Sequence, residues 1–297
     1  MIENVTVETL KEFKPKHEYF IGIDSDGCAF DSMEIKHKEC FIPNIIKHWK
    51  LQPVSNFARQ AAEFVNLYSK WRGINRWPAL MMVFDLLSER EDVKRRGVEM
   101  PDVKVLRDWI ENETRLSNTV LKEVVDNTGD AVLKQAYIWS EAVNKTIEDM
   151  VENVPPFPNL RESLTKMDSV ADIFVVSQTP TEALTREWKE HSIDSYVEFI
   201  CGQEMGTKTE HIQFIAGGKY PTDKMLMIGD APGDMKAAHA NKALFYPINP
   251  GNEEQSWKRF HDEAFDKFIN GQYAGDYEAK VIAEFEGYLP STPPWKK

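Results

Sequence analysis

Residues 19–32 read YFIGIDSDGCAFDS, an apolar run that ends abruptly in two aspartates, a glycine and, a few positions on, a third aspartate. The run Tyr19-Phe20-Ile21-Gly22-Ile23 is mostly aromatic or β-branched and carries no charge, the composition of a strand buried on both faces of a parallel sheet. Asp24 and Asp26 then stand where such a strand must turn. In open α/β sheets ligands bind in the crevice beyond the carboxyl ends of the strands, so carboxylates there are placed to meet a substrate or a metal. Taken alone, Asp-Ser-Asp-Gly is equally a good solvated turn. It is not a calcium-binding EF-hand loop. Counted from Asp24, Cys28 falls on the fifth position, Ala29 replaces the required glycine and Ile35 stands at the twelfth.

Outward from this stretch the chain changes character twice. Before it, Thr6 to Phe13 reads as a short helix capped by Thr6, ending ahead of Pro15. After it, residues 33–153 show helical periodicity and almost no strand signal, as expected of an all-helical domain inserted behind the first strand. Its helices are expected at Glu34–Trp49, Phe57–Trp71, Trp77–Arg90, Val103–Glu113 and Asn118–Val151, the last interrupted near Asn127–Asp130. Pro53, Gly73 and Pro101 mark the breaks. Phe64, Leu67, Leu80, Phe84 and Leu87 recur at three- and four-residue spacing and read as its core.

Pro155-Pro156-Phe157-Pro158-Asn159 cannot continue a helix and marks the return. Strand and helix signals then alternate, with strands at Ala171–Val176, Val197–Cys201, Met225–Ile228 and Ala243–Tyr246. Strict alternation implies βαβ units and a parallel sheet with right-handed crossovers. Glu253 to Leu289 reads as helix whose aromatics, among them Trp257, Phe260, Phe265 and Phe285, cover the sheet. The expected fold class is α/β, a parallel sheet with helices on both faces. The α/β core domain takes residues 1–32 and 154–297, and the helical domain residues 33–153.

Composition narrows the function. The 297 residues are 42% hydrophobic and 28% charged, ordinary for a folded protein. A formal net charge of -12 speaks against nucleic acid or an anionic membrane as partner, since both need a basic footprint. Cys28, Cys40 and Cys201 form no CxxC pair, which suits a reducing, cytoplasmic setting and implies no zinc site. The acidic start MIENVTVETLKEF does not resemble a signal peptide, and no apolar run is long enough to span a membrane.

Four strand ends finish in polar groups: Asp24 and Asp26; Ser177-Gln178-Thr179; Gly206-Thr207-Lys208 at a helix start; and Gly229-Asp230 with Asp234. Singly, Ser177 reads as a helix cap, Lys208 as a solvated lysine, and Asp230 with Asp234 as a turn or cap pair. Together they converge on one edge of one sheet. Carboxylates for a hard cation, a lysine for an anion and hydroxyl or N–H donors for equatorial oxygens are the parts of a metal-dependent phosphoryl-transfer site.

On these motifs the chain resembles the haloacid dehalogenase superfamily of phosphohydrolases. Asp24-Ser-Asp26-Gly27 with Asp31-Ser32 matches its first motif, Ser177 its second, Lys208 its third, and Gly229-Asp230 with Asp234 its fourth. The order is right, and the resemblance spans most of residues 17–250, including a helical cap inserted after the first motif. It departs at Cys28, where many members carry threonine or valine, at Asn159, commonly glycine, and at Thr209, often proline.

The resemblance implies a Rossmann-like core and a Mg²⁺-dependent phosphatase acting on a small phosphorylated metabolite. Asp24 would be the nucleophile and Asp26 the general acid and base. Lys208 would balance charge, and Ser177, with main-chain N–H groups near Gly27 and Gln178, would hold phosphate. Asp24, the Asp26 carbonyl and Asp230 would hold Mg²⁺, and Asp234 would orient Lys208 or a bound water. Asp26 separates ester chemistry from dehalogenation, where this second aspartate is lacking. In the insert, Arg72 and Arg76 lie in the basic, aromatic stretch KWRGINRW and are candidates to reach the rest of the substrate.

A phosphomutase of the same superfamily would use the same two aspartates. A P-loop NTPase is a poorer reading of Gly202 to Thr209, because Thr207 stands where that loop needs glycine before its lysine. A non-catalytic phosphate-binding protein is the remaining alternative. Oligomeric state has no signature in the sequence.

Overall fold

The computed structural model describes residues 5–296. The chain divides into two compact units. One holds the N-terminal segment through Met33 together with Asn153–Leu289, and the other holds Glu34–Glu152 and the segment from Pro290.

In the first unit β1 (Tyr19–Ile23), β2 (Ala171–Val176), β3 (Phe199–Cys201), β4 (Met225–Gly229) and β5 (Leu244–Pro247) form a parallel sheet in the order β3-β2-β1-β4-β5. After the insert the chain fills one side of β1 outward, then crosses back and fills the other. That reversal leaves a crevice at the carboxyl ends of β1 and β4, the place where open α/β sheets take ligands. The register puts Ile23 opposite Ile228, so Asp24 and Asp230 leave the sheet side by side.

Alternation along the strands feeds two cores. Ile21, Ile23, Ile173, Val175, Leu226 and Ile228 pack on one face with Leu160, Leu184, Trp188, Trp257 and Phe260. Phe20, Phe174, Val176, Met227 and Phe245 pack on the other with Leu10, Phe13, Ile212, Ile215 and Phe285. With both faces covered, the strands can be apolar throughout, as β1 is.

The expected strands and helices stand close to their predicted places, with two clear differences. The helix expected over Phe57–Trp71 spans Ser55–Asn66 and gives way to turns. The segment after Glu253 is not one helix to Leu289. It runs helically from Glu253 to Ile269, through a π-helical turn at Phe260–Ala264, and resumes at Asp276–Tyr288. Gly271 and Gly275 between them have φ of +67° and +88°, conformations that end a right-handed helix and cost glycine little. The break lets Tyr273 turn inward, where its hydroxyl donates to the Phe245 carbonyl at 2.8 Å.

The helical unit has its own core. Trp77 packs edge-on against Trp109 and Trp139 with centroids 5.5 and 5.6 Å away, each such pair adding roughly 0.5–1.5 kcal/mol beyond area burial. The expected core residues Phe64, Leu67, Leu80, Phe84 and Leu87 are all buried. Near 127–130 the helix Asn118–Thr128 stops at left-handed Gly129, and Asp130 caps Ala131–Met150 by accepting from the Val132 and Leu133 N–H groups.

The residues from Pro290 were expected in the α/β domain, but they pack in the helical unit. The Lys70 N–H donates to the Pro290 carbonyl at 3.4 Å. Trp295 lies 5.8 Å from the Phe64 ring, and the Arg90 guanidinium lies between Trp295 and Phe57 at 4.6 and 4.5 Å. Among the described residues no helix is long and apolar enough to cross a membrane.

Candidate active site

The loop after β1 is closed on itself. The Ser25 carbonyl accepts from the N–H groups of Cys28, Ala29 and Phe30, and the Gly27 N–H donates to the Phe30 carbonyl at 2.8 Å. Gly27 has φ +77°, so glycine is what this turn takes without strain. Two buried tryptophans anchor the loop from below: the Trp188 indole donates to Ser25 Oγ at 3.1 Å and the Trp257 indole to the Cys28 carbonyl at 2.7 Å. The proline-rich return passes alongside, with the Phe157 N–H donating to the Ala29 carbonyl at 2.9 Å. Asn159 has φ +70°, a left-handed conformation that glycine or asparagine adopts readily, which explains asparagine at a position where the resemblance suggested glycine.

Lys208 is the hub. Its Nζ is 2.7 Å from Asp24 Oδ2 and 2.5 Å from Asp234 Oδ1. It sits in the first turn of the helix Lys208–Ala216, where a cation opposes the helix dipole. A capping box offsets this cost: Thr207 Oγ1 accepts from the Glu210 N–H, and the Glu210 carboxylate accepts from the Thr207 N–H at 2.8 Å. Asp234, in the first turn of Pro232–Ala240, also accepts from the Asp230 and Ala231 N–H groups at 3.2 and 3.0 Å. With three donors on its carboxylate, Asp234 is built to position Lys208 and the β4 loop.

Gly229 makes that placement sterically possible. A Cβ there would lie 2.4 Å from Asp234 Cβ and 2.5 Å from its Oδ2. Gly229→Ala is therefore expected to displace Asp234 and destabilise the fold by about 1–3 kcal/mol, in line with overpacking of a tight site; urea denaturation measures it.

Asp24, Asp230 and Asp234 are 5%, 1% and 0% exposed, and oxygens of all three lie within 4.8 Å of one another. Burial pushes the Asp24 carboxyl up, the Lys208 charge pulls it down, and Asp234 and Asp230 push it up again, leaving it raised to about 8. Burial works against the Lys208 charge, but Asp234 and Asp24 outweigh it and raise its pKa. Burial first, then the neighbouring carboxylates, push the Cys28 thiol well up, so it is a neutral packing group. More buried carboxylate than cation, all of it oxygen donors, is a donor set suited to a hard divalent cation. Asp24 and Asp230 are side chains that could hold such an ion, whereas the Asp234 carboxylate carries Lys208 and two main-chain donors.

Asp26 is half-buried and held at both oxygens: Ser32 Oγ donates to Oδ1, and Thr179 Oγ1 donates to Oδ2 at 2.6 Å. Ser177, at the end of β2, is buried, its N–H on the Cys201 carbonyl at 3.0 Å and its Oγ accepting from the Thr179 N–H at 3.3 Å. Gln178 is exposed and donates to the Gly206 carbonyl at 2.9 Å, tying the β2 loop to the loop before Lys208. Thr179 closes the polar strand end Ser177-Gln178-Thr179, but the sequence assigns it no role. Its position two residues after Ser177 was the available signal, but a threonine in a turn has many bland uses.

Within the helical unit both arginines from the insert find acceptors. Arg72 is buried and donates to the Leu67 carbonyl at 2.9 Å. Arg76 donates to Ser140 Oγ and Asn144 Oδ1, both at 2.8 Å, with its guanidinium 5.0 Å from the Phe41 ring.

Residues 103–246 match the family model described as haloacid dehalogenase-like hydrolase. That span includes Ser177, Lys208, Asp230 and Asp234, while Asp24 and Asp26 precede it, on the far side of most of the insert. Among solved structures the chain is similar to a haloacid dehalogenase-like hydrolase family protein from Streptococcus pneumoniae, at 17% identity and TM-score 0.44 over 90% of this chain and 98% of that one. It is also similar to a predicted phosphoglycolate phosphatase from Haemophilus somnus, at 13% identity and TM-score 0.46 over 78% and 86%. A hydrolase from Pseudomonas syringae matches at 13% identity and TM-score 0.45 over 80% and 90%. No curated protein sequence matches significantly. The functional reading accordingly rests on the residues of the site.

Proposed function

We propose that this chain, a member of the haloacid dehalogenase superfamily, hydrolyses the phosphate monoester of a small metabolite through an aspartyl phosphate on Asp24. The observation that carries the reading is the buried group in which Lys208 bridges Asp24 and Asp234 beside Asp230. A lone solvated turn has no use for three buried carboxylates, two of them on one ammonium. The P-loop alternative leaves that pairing unused.

In the first step an Asp24 carboxylate oxygen forms the new bond to phosphorus. The bond from phosphorus to the leaving oxygen breaks, its electron pair goes to that oxygen, and Asp26 supplies the proton. In the second step Asp26 takes a proton from water as that water attacks the aspartyl phosphate, which releases phosphate and regenerates Asp24. Lys208 offsets the repulsion between two anions, and Ser177 with main-chain N–H groups near Gly27 and Gln178 accommodates the phosphate oxygens. Asp24, the Asp26 carbonyl and Asp230 would hold Mg²⁺, which when bound supplies further positive charge to the phosphoryl oxygens.

A screen of phosphorylated metabolites, sugar phosphates included, with and without Mg²⁺ and with product analysis tests the proposal. Metal-dependent release of phosphate is the expected result. Release without metal, or an isomerised sugar phosphate as product, would overturn it.

Cation binding should depend on pH. With the Asp24 carboxyl raised to about 8, the ion competes with a proton for that oxygen. In the metal-free protein the raised pKa favours the protonated carboxyl, so this contribution to stability is present below the ordinary carboxylate range and is lost as pH rises through about 8. Mg²⁺ reverses the trend by binding the ionised form. The rise in melting temperature on adding Mg²⁺ should therefore be larger at about pH 9 than at about pH 6; an equal rise at both would refute it.

A further inference from the structure

The chain position of Asp26 does not by itself aim its carboxylate: the residue lies beyond β1, half-buried, on a side chain with two rotatable bonds. Two hydroxyls from separate segments meet it, Ser32 Oγ on Oδ1 and Thr179 Oγ1 on Oδ2 at 2.6 Å. A hydroxyl donor on each carboxylate oxygen restrains the plane of the group.

Thr179 is itself held from several directions. Its N–H donates to Ser177 Oγ at 3.3 Å, and its carbonyl accepts from the Gln203 N–H at 3.1 Å. Gly202 lets the two loops approach: a Cβ there would lie 2.7 Å from the Thr179 carbonyl oxygen and 2.5 Å from the Thr181 nitrogen. Thr181 in turn is fixed by Glu204, which accepts from both its N–H and its hydroxyl at 3.0 and 2.7 Å. The β3 loop thus holds the β2 loop, the β2 loop holds the Thr179 hydroxyl, and that hydroxyl holds Asp26. Ser177, on the same loop, shares this support, so the phosphate-binding hydroxyl and the acid's partner are placed by one rigid segment.

We propose that Thr179 is a positioning residue for the proton transfer performed by Asp26, setting the direction from which the carboxyl meets the leaving oxygen. The proposal rests on the phosphohydrolase reading and deepens it. Such a role has a consequence that general structural support does not. Protonation matters most when the leaving group is a poor one, an aliphatic alkoxide, and little when it is a stable phenolate. Loss of the Thr179 hydroxyl should therefore be felt according to the leaving group.

The test compares kcat/KM, which reports steps through formation of the aspartyl phosphate, for an aliphatic monoester from the metabolite screen and for p-nitrophenyl phosphate. Thr179→Val, nearly isosteric, should lower kcat/KM for the aliphatic ester about 10-fold or more, a part of the 10²–10⁴-fold that general acid catalysis typically supplies. The value for p-nitrophenyl phosphate should change by less than about 2-fold on the same reasoning. Thr179→Ser, which keeps the hydroxyl, should restore the aliphatic activity, and it carries the test if the valine variant does not fold. Equal losses on both substrates, no loss on either, or a serine variant as selective as valine would overturn the proposal. Wild-type protein inactive on both substrates would instead overturn the phosphohydrolase reading, and this one with it. An inactive Asp24→Asn protein beside an unselective Thr179→Val protein would leave that reading standing and sink this one.

Discussion

Asp24→Asn protein is expected to lose phosphatase activity by at least about 1,000-fold, as removal of a nucleophile does when the remaining machinery cannot replace it. The fold should survive. Asparagine can keep its oxygen toward the Ser25 N–H, which donates to Asp24 Oδ1 at 2.8 Å. The substitution loses the Lys208 ion pair, but it also removes one of three carboxylates whose oxygens crowd within 4.8 Å. These effects oppose each other, so stability should stay within about 1 kcal/mol of wild type. Phosphate release and a thermal melt on the same preparation check both halves. Wild-type turnover in the variant would rule out Asp24 as nucleophile, whereas loss of activity with loss of folding would assign it a structural role.

Lys208→Met protein is expected to lose both activity and stability. Methionine fills much of the volume, but Asp24 and Asp234 then stay buried without the ammonium they share. Removing one partner of a buried ion pair typically costs about 3–5 kcal/mol. The pH dependence identifies the cause. Without the lysine the Asp24 carboxyl favours its protonated form still more, so its folded pKa rises further above the unfolded one. Stability from that source is present at low pH and lost as pH rises. The gap between variant and wild type, measured by urea denaturation, should therefore be wider at about pH 8 than at about pH 5. A gap that does not change with pH would point to lost packing instead of unbalanced charge.

Much of the site was legible because its residues follow apolar strands directly. Asp24 comes straight after Ile23 and Asp230 straight after Gly229, so finding the strand finds the carboxylate. Lys208 was legible through the helix start at Thr207 and Glu210. Other parts had no local signal. The aromatic periodicity after Glu253 suggested one helix, and the glycines at 271 and 275 were too weak a signal against it. In the folded chain their left-handed backbone turns Tyr273 inward. Trp295 packs against Phe64 and Arg90, neighbours that no nearby sequence reveals. Arg72 and Arg76 stand out in the sequence as cations in a basic, aromatic turn, but their acceptors within the helical unit, the Leu67 carbonyl for Arg72 and Ser140 with Asn144 for Arg76, have no local signal.

The sequence by itself determined the class of fold, the helical insert behind the first strand and the identity of the chemical groups, because strand burial, helix periodicity and strand-end polarity are local properties. Only the tertiary structure decided that Lys208 bridges Asp24 and Asp234, that Thr179 holds Asp26, and that the segment from Pro290 joins the helical unit. Those are pairings between residues distant in the chain. They depend on which strands lie side by side and how closely loops can approach, and the order β3-β2-β1-β4-β5 and the bare Cα atoms of Gly202 and Gly229 supply both.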